Sequence, residues 1–186
     1  MPPHVTFVCI GNRVRSTFAE FYLADRFSKR AEKPAVSAAG FIPQAFKDQL
    51  AEARIPIPKP FFERPMSEQT RAALDEKGIR VPDGWRSKEL TPEMIEETDL
   101  LVTALGVQKE ELSNIYKDAR DKIFSISDLS EREDYLFFED FSVPILDENY
   151  WHYVEEDPEY VSEILRVWEE TLIKAIPNIL RQLGCA

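Results

Sequence analysis

The stretch VCIGNRVRS, residues 8–16, decides the fold, because it joins a predicted strand to a predicted helix through a short loop that contains glycine. Residues 4–10 are apolar and rich in β-branched side chains, a pattern typical of a buried strand. A glycine and an asparagine end that run, and apolar residues then recur at helical spacing over residues 16–30. The sequence therefore predicts the opening strand, loop and helix of an α/β unit.

The rest of the chain continues this alternation of strand-like and helix-like segments. Further strands are predicted at 35–39, 100–105 and 122–126. Further helices are predicted near 44–54, over 66–77, from Thr91-Pro92, and from about Pro158 to the C-terminus, with a kink or break at Pro177. Such alternation favours a mostly parallel four-stranded sheet that is covered by helices on both faces.

Length and composition fit a single domain over residues 1–186. Hydrophobic residues make up 44% and charged residues 31%, the balance of a soluble globular chain with a substantial core. Two segments differ from the rest. Residues 41–65 hold five of the 13 prolines and are predicted to be an irregular insertion. Residues 131–157 are rich in aromatic side chains and contain ten acidic residues against one basic residue, Arg132.

Charge and cysteine content exclude several classes of function. A net charge of −11 makes non-specific nucleic-acid binding a poor candidate, because phosphates require a basic face. Cys9 and Cys185 are the only cysteines, and with two scattered histidines they form no metal-ligand pattern. No signal-peptide pattern and no apolar stretch of about 20 residues is present. We expect a cytoplasmic protein with no metal, cofactor, nucleic-acid or membrane partner.

The chemistry is concentrated at the end of the first strand. Cys9 lies at its carboxyl end, where α/β sheets bind ligands, and Arg15 follows six positions later at the start of the helix. Successive backbone N–H groups beside a helix N-terminus form an anion site, and a guanidinium adds a bidentate grip on phosphate. That positive field favours the thiolate, which would be a nucleophile aimed at phosphorus. The alternative is a buried structural thiol with a surface arginine.

In Cys9, Gly11, Asn12, Arg15 and Ser16 the chain resembles the low-molecular-weight protein tyrosine phosphatases, whose signature is Cys-x-Gly-Asn-x-x-Arg-Ser. That family includes the thioredoxin-coupled arsenate reductases. Glu20 and three weaker stretches are also similar to the family, at 36–40, 86–90 and 98–102. The resemblance implies a three-layer, flavodoxin-like domain with a four-stranded parallel sheet and a phosphate-binding loop after the first strand.

The resemblance also implies a role for each matching residue. Cys9 would form a phosphocysteine intermediate, and Arg15 would bind phosphate and stabilise the transition state. Asn12 would hold the loop through side-chain hydrogen bonds, and Ser16 would hydrogen-bond the Cys9 sulfur. The phosphate-binding loop further includes Ile10, Gly11, Arg13 and Val14.

The family also needs an acid that protonates the leaving group and then activates water. Asp157-Pro158 is the only Asp-Pro in the chain and directly precedes the last helix, so Asp157 is the predicted acid and Asp147 the alternative. A plain helix cap would explain Asp157 equally well. Because like charges disfavour ionisation, Glu155 and Glu156 are expected to keep Asp157 protonated.

Two departures from the family pattern bear on the substrate. Arg13 stands where phosphotyrosine enzymes carry an apolar pocket residue, so it is expected to add phosphate affinity or to narrow the pocket. Val14 stands where many members have a second cysteine. The aromatic residues of 135–153 either pack in the core or supply a wall, from Tyr150, Trp151 or Tyr153, that stacks on an aryl phosphate.

These observations predict a cysteine-dependent phosphomonoester hydrolase, most simply a protein tyrosine phosphatase. Its substrate would be a phosphorylated protein or aryl phosphate, with inorganic phosphate or a similar oxyanion in the loop. One alternative is an arsenate reductase on the same scaffold, in which Cys185 would form a disulfide with Cys9. The other is a non-catalytic phosphate-binding module.

Overall fold

The computed structural model describes residues 2–130 and 150–185, apart from the side chain of Tyr153. Its sheet has four parallel strands in the order β2-β1-β3-β4. The strands are β1 (His4–Cys9), β2 (Ala35–Gly40), β3 (Leu100–Thr103) and β4 (Ile123–Ser125). All four predicted strands are confirmed, and the register pairs Cys9 with Gly40 at the carboxyl ends of β1 and β2.

Helices connect the strands, as parallel pairing requires. They are α1 (Arg15–Ser28), α2 (Gln44–Glu52), α3 (Glu68–Glu76), α4 (Pro92–Glu97), α5 (Gly106–Ile115), α6 (Ile126–Ser130), α7 (Tyr150–Glu156) and α8 (Pro158–Gln182), with a 3-10 helix at Lys117–Lys122. Thr91 accepts a hydrogen bond from Met94 N at 3.3 Å and caps α4, as its sequence predicts. Helix α5 was not predicted, because it buries only Gln108 and Leu112 and lacks a clear apolar stripe.

The two faces of the sheet bury different helices, because successive strand residues point to opposite sides. Phe7 of β1 belongs to the larger core cluster with Phe18 of α1 and Leu172 of α8. Its neighbour Val8 packs in a smaller cluster with residues of α4 and α5. The result is the predicted three-layer α/β arrangement with β1 in the interior of the sheet.

Helix α8 differs from its prediction at one position. Of the kink or break expected at Pro177, the break does not occur, and one helix continues from Pro158 to Gln182. Proline removes a helical hydrogen bond and costs about 3 kcal/mol in a helix interior. Buried residues lie on both sides of it, with Leu172 and Ala175 before and Ile179 and Leu180 after, so packing of this apolar stripe offsets the cost. In the described part of the chain, no helix has the length and apolar character that crossing a membrane requires.

The proline-rich segment 41–65 contains α2, which agrees with the helix predicted near 44–54. Five of its apolar residues are buried in the larger core cluster: Ile42, Phe46, Leu50, Ile55 and Phe61. Its last residues return to the carboxyl edge of the sheet, where Glu63 N donates to Ser87 O at 2.8 Å. The segment therefore forms a wall beside the loop that follows β1.

Candidate active site

The loop that follows β1 lies at the carboxyl edge of the sheet and leads directly into α1. Cys9 and most residues of the loop are buried, whereas Gly11 and Arg15 are half-buried. Helix α1 starts without a side-chain cap and without an acidic residue in its first turn. Its positive N-terminal end therefore keeps its capacity for an anion.

Cys9 sits in a small hydrogen-bonded group. Its Sγ lies 3.0 Å from Ser16 Oγ. Ser16 Oγ also accepts from Asn12 Nδ2 at 3.0 Å, and its one proton can be donated to Ala39 O at 3.3 Å or to the sulfur. The Asn12 donor orients the serine hydroxyl relative to the sulfur, and only 3% of Cys9 is exposed. A hydroxyl at this position can donate a hydrogen bond to the sulfur.

Asn12 shapes the loop through its backbone and its side chain. Its φ of 52° lies in the left-handed region, which asparagine tolerates better than most residues. Asn12 Oδ1 accepts from Lys88 N at 2.9 Å, and Asn12 O accepts from Thr17 Oγ1 at 2.8 Å. The loop is therefore tied both to α1 and to the segment before α4.

Two glycines allow close approach at the loop. A Cβ placed on Gly11 would lie 2.8 Å from Glu155 Oε1. A Cβ on Gly40 would lie 2.4 Å from Phe62 Cε1 and 2.8 Å from Ile10 O. Neither position has room for a side chain, so α7 and the 41–65 segment contact the loop directly.

Arg13 makes contacts that its sequence position did not predict. It is only 5% exposed, and Nε donates to Pro65 O at 2.7 Å. One terminal nitrogen pairs with Glu155 Oε2 and the other with Glu156 Oε1 at 3.1 Å. The guanidinium is therefore occupied by protein oxygens in this arrangement, and a contribution of this side chain to phosphate affinity stays a prediction.

Glu155 is the buried partner of two arginines. Besides Arg13, it pairs with Arg64 at 2.8 Å from the proline-rich segment. Burial raises the pKa of Glu155, and the two guanidinium groups oppose that rise. The sequence treated Glu155 and Glu156 as uncompensated charges beside Asp157. The structure corrects this, since both carboxylates are paired with Arg13 and Arg64.

Asp157 lies at the junction between α7 and α8. Its Oδ1 accepts from Tyr160 N at 2.8 Å, so it caps α8 and is half-buried. Because Glu155 contacts Gly11 and Arg13, the chain that carries Asp157 runs beside the loop. The alternative acid, Asp147, lies outside the described residues.

The aromatic residues that the structure describes here belong mainly to the core. Tyr150 and Trp151 are buried, at 6% and 9% exposed, and their rings contact Phe46 with centroids 6.0 Å apart. Trp151 Nε1 donates to Pro56 O at 2.9 Å. Packing therefore explains these two better than stacking on a ligand. Outside the described part lie Tyr135, Phe137, Phe138, Phe141 and the side chain of Tyr153.

Tyr150 nevertheless lies near Arg15. Burial raises the pKa of the Tyr150 hydroxyl well above its usual range, and the Arg15 guanidinium opposes this effect. Arg15 is the first residue of α1 and is half-buried, so this residue begins the helix directly after the loop. A cation at this position complements an oxyanion bound by the loop.

Cys185 is not brought near Cys9. It is 6% exposed and lies close to Glu32, whose carboxylate adds to the effect of burial in raising the pKa of the thiol. Glu32 follows the C-terminal end of α1, whereas Cys9 precedes its N-terminal end. The 14 residues of α1 span about 21 Å. Direct disulfide formation between the two cysteines would need a large rearrangement.

Sequence reasoning missed the residues that hold α7 against the loop. Arg64 and Pro65 were not singled out, because they lie in the proline-rich stretch 41–65, and Glu155 was interpreted only as a charge beside Asp157. The signal that could have found these residues was Arg13, a charged residue at a loop position that is apolar in the family.

In residues 2–130 and 150–185, no group of three or more His, Cys, Asp or Glu side chains lies close enough together to hold a metal ion.

No protein-family model and no curated protein matches this chain. Several solved structures are similar to it. A low-molecular-weight protein tyrosine phosphatase from T. tengcongensis aligns with a TM-score of 0.67 and 21% identity, over 95% of this chain and 99% of that one. The YwlE arginine phosphatase from Geobacillus stearothermophilus aligns with a TM-score of 0.66 and 20% identity, over 100% of this chain and 98% of that one.

A third similar structure is Vibrio vulnificus Wzb in complex with benzylphosphonate. It has a TM-score of 0.60 and 18% identity, over 91% of this chain and 93% of that one. At these identities the likeness shows the fold, which agrees with the architecture that the first loop predicts.

Proposed function

We propose that this chain, which has the fold of the low-molecular-weight protein tyrosine phosphatases, hydrolyses phosphomonoesters through a phosphocysteine on Cys9. The observation that carries the proposal is the Cys9 Sγ to Ser16 Oγ distance of 3.0 Å in a loop that opens onto the uncapped start of α1. A nucleophile, a hydroxyl that stabilises it and an anion site thus occupy one loop. The benzylphosphonate bound by Wzb supports an oxyanion as the occupant.

The reaction would proceed in two steps. The Cys9 thiolate attacks phosphorus, an S–P bond forms, and the bond to the leaving oxygen breaks as Asp157 gives that oxygen a proton. Water then attacks the phosphocysteine, gives a proton to Asp157 and displaces the sulfur, which releases inorganic phosphate. Arg15 and the loop N–H groups stabilise the phosphoryl oxygens in both steps. These steps require no cofactor.

Phosphotyrosine in a protein is the substrate class we propose. Phosphoarginine is the second candidate, since a YwlE arginine phosphatase shares the fold. A charged Arg13 would repel a substrate guanidinium, but Glu155 and Glu156 already neutralise Arg13 in this structure. Turnover of peptides that carry each modification distinguishes the two, and a preference for phosphoarginine would reject the tyrosine assignment.

The central test is Cys9→Ser, with Cys185→Ser as the matched control. We expect the purified protein to hydrolyse an aryl phosphate in the presence of a chelator and a rapid quench to trap phosphate on Cys9. Cys9→Ser should lower kcat by a factor of about 10⁴ or more, because the covalent route is removed. Cys185→Ser should retain wild-type turnover, since Cys185 lies beyond the far end of α1.

Other outcomes would favour the alternative functions. Wild-type protein that binds phosphate without turnover would be a phosphate-binding module. Thioredoxin-dependent arsenate reduction that is lost in Cys185→Ser would indicate a reductase, despite the burial of Cys185.

A further inference from the structure

We infer that Arg13, Glu155 and Arg64 form an ion-pair clasp that positions Asp157 at the phosphate-binding loop. The inference rests on the proposed function, because it assigns a positioning role to residues around the proposed acid. It concerns three side chains on three separate parts of the chain: the loop after β1, the end of α7 and the proline-rich segment.

The loop side of the clasp is Arg13. Its guanidinium is 5% exposed and contacts Pro65 O, Glu155 and Glu156 at once. A planar fork can satisfy several oxygens in fixed directions, which a lysine ammonium cannot. The neighbouring backbone is fixed as well, since Ser67 N donates to Arg13 O at 3.3 Å. Arg13 therefore ties the loop to other elements and is not directed at solvent.

The acid side of the clasp is the junction between α7 and α8. Asp157 follows Glu155 by two residues, and its N donates to His152 O at 3.1 Å. Gln69 Nε2 donates to Glu156 O at 2.8 Å and holds the same junction to α3. Since the backbone on both sides of Asp157 is hydrogen-bonded, moving Glu155 moves Asp157 with it.

Burial makes the clasp a strong constraint. Glu155 and Arg13 are each 5% exposed. Removing either one leaves the other as a buried charge with fewer partners, Arg64 for Glu155 or Glu156 for Arg13, which is costly. Arg64 is more open, with 21% of its side chain exposed, and it reaches Glu155 from the opposite segment. The close approach of Glu155 Oε1 to Gly11 adds a steric limit on where α7 can lie. Together these contacts fix α7 against the loop.

The test compares two aryl phosphates, one with a leaving phenol of low pKa and one with a phenol of high pKa. An acid catalyst matters mainly for the poor leaving group. Arg13→Met and Glu155→Gln should lower kcat on the poor leaving group by about 10-fold to 100-fold. Complete loss of general acid catalysis typically costs about 100-fold or more, so a misplaced acid should cost no more than that. The kcat on the substrate with the good leaving group and the inhibition constant for inorganic phosphate should each change less than about threefold, since Arg15 and the loop still bind phosphate.

Arg166→Met is the control, because within the described residues the ion pairs of Arg166 are with Glu163 and Glu170, two exposed carboxylates on α8. This change should leave kcat unchanged. Combining Arg13→Met with Asp157→Asn should cost no more than Asp157→Asn alone, since both act on the same step. Thermal unfolding checks that each variant folds. If Arg13→Met and Glu155→Gln do not fold, Arg64→Met gives the decisive measurement. It should lower kcat by a smaller factor, and only on the substrate with the poor leaving group.

Three results would overturn the inference. An equal loss on both substrates indicates a general structural role. A weaker inhibition constant for phosphate indicates that Arg13 binds the substrate phosphate. No loss in any variant means that Asp157 is positioned without the clasp. By contrast, wild-type protein without turnover on either substrate overturns the proposed function itself, and the two failures are therefore distinguishable.

Discussion

At the scale of single residues, Asn12 organises the site more than any other loop residue. One amide side chain donates to Ser16 and Thr17 and accepts from Lys88 N, while its backbone is left-handed. It thereby links the hydroxyl beside Cys9 to a distant segment. The loop shape depends on these hydrogen bonds as well as on the positive φ.

We expect Asn12→Ala and Asn12→Gly to lower kcat to a similar degree, about tenfold or more, because both lose the bonds that orient Ser16. Glycine adopts a positive φ without strain, so it separates the hydrogen bonds from the backbone conformation. Steady-state turnover of an aryl phosphate measures both variants. Near wild-type activity in Asn12→Gly would show that the backbone conformation alone sets the loop.

Arg13 and Glu155 have roles in the structure that differ from those predicted from the sequence, because both side chains are buried. From the sequence, Arg13 was a candidate phosphate ligand and Glu155 a source of repulsion on Asp157. In the structure the two charges neutralise each other in the interior. A charged residue that is this deeply buried requires a partner, and only the packing of α7 on the loop supplies it.

At the scale of elements, the N-terminus of α8 combines a structural and a proposed chemical role in one residue. Asp157 caps the helix through Tyr160 N. Pro158 follows at the first helical position, where its missing N–H is not required. The cap by itself would explain the Asp-Pro pair, so the two roles must be separated by experiment.

Asp157→Asn and Asp157→Ala separate the cap from the acid. Asparagine caps helices about as well as aspartate but cannot serve as the proton donor, so Asp157→Asn should unfold close to the wild type. Asp157→Ala should lose about 1 kcal/mol of unfolding free energy in urea. Both should lower kcat on a poor leaving group by about 100-fold. If Asp157→Asn keeps full activity, Asp157 is only a cap and Asp147 becomes the next candidate.

At the scale of the whole molecule, a buried charge near the loop links stability to pH. Burial raises the pKa of Glu20 to about 7, and Lys88, whose ammonium is 4.0 Å away, and Trp85 oppose that rise. The folded state therefore holds this proton more tightly than the unfolded chain, in which the ordinary value is 4.5. The contribution of Glu20 to stability is fully present below about pH 4.5 and decreases as the pH rises towards 7.

Glu20→Gln should remove this dependence. Between pH 5 and pH 8, the free energy of unfolding of the variant should rise by up to about 3 kcal/mol relative to that of the wild type, at 1.36 kcal/mol for each pKa unit. Urea unfolding at several pH values measures the difference. Glu89→Gln, an exposed change of the same charge, serves as the control and should show no such trend. A constant difference across the pH range would contradict the prediction.

The fold was largely predictable because its signals are local. Apolar runs of the right length, a glycine-containing turn and capping residues such as Thr91 identify strands and helices over a few positions. Helix α5 was missed where that local signal is weak. The continuation of α8 through Pro177 depends on packing, and no local pattern at Pro177 reports what the helix buries.

The sequence by itself determined the parallel α/β fold and the loop from Cys9 to Ser16, since both follow from residue order and spacing. Only the tertiary structure decided the surroundings of that loop. Arg64 and Glu155 meet Arg13 because the proline-rich segment and α7 pack there. Arg13 and Glu155 are 142 residues apart along the chain, and no periodicity of the sequence encodes their contact. Long-range ion pairs form from three-dimensional packing, which short patterns do not specify.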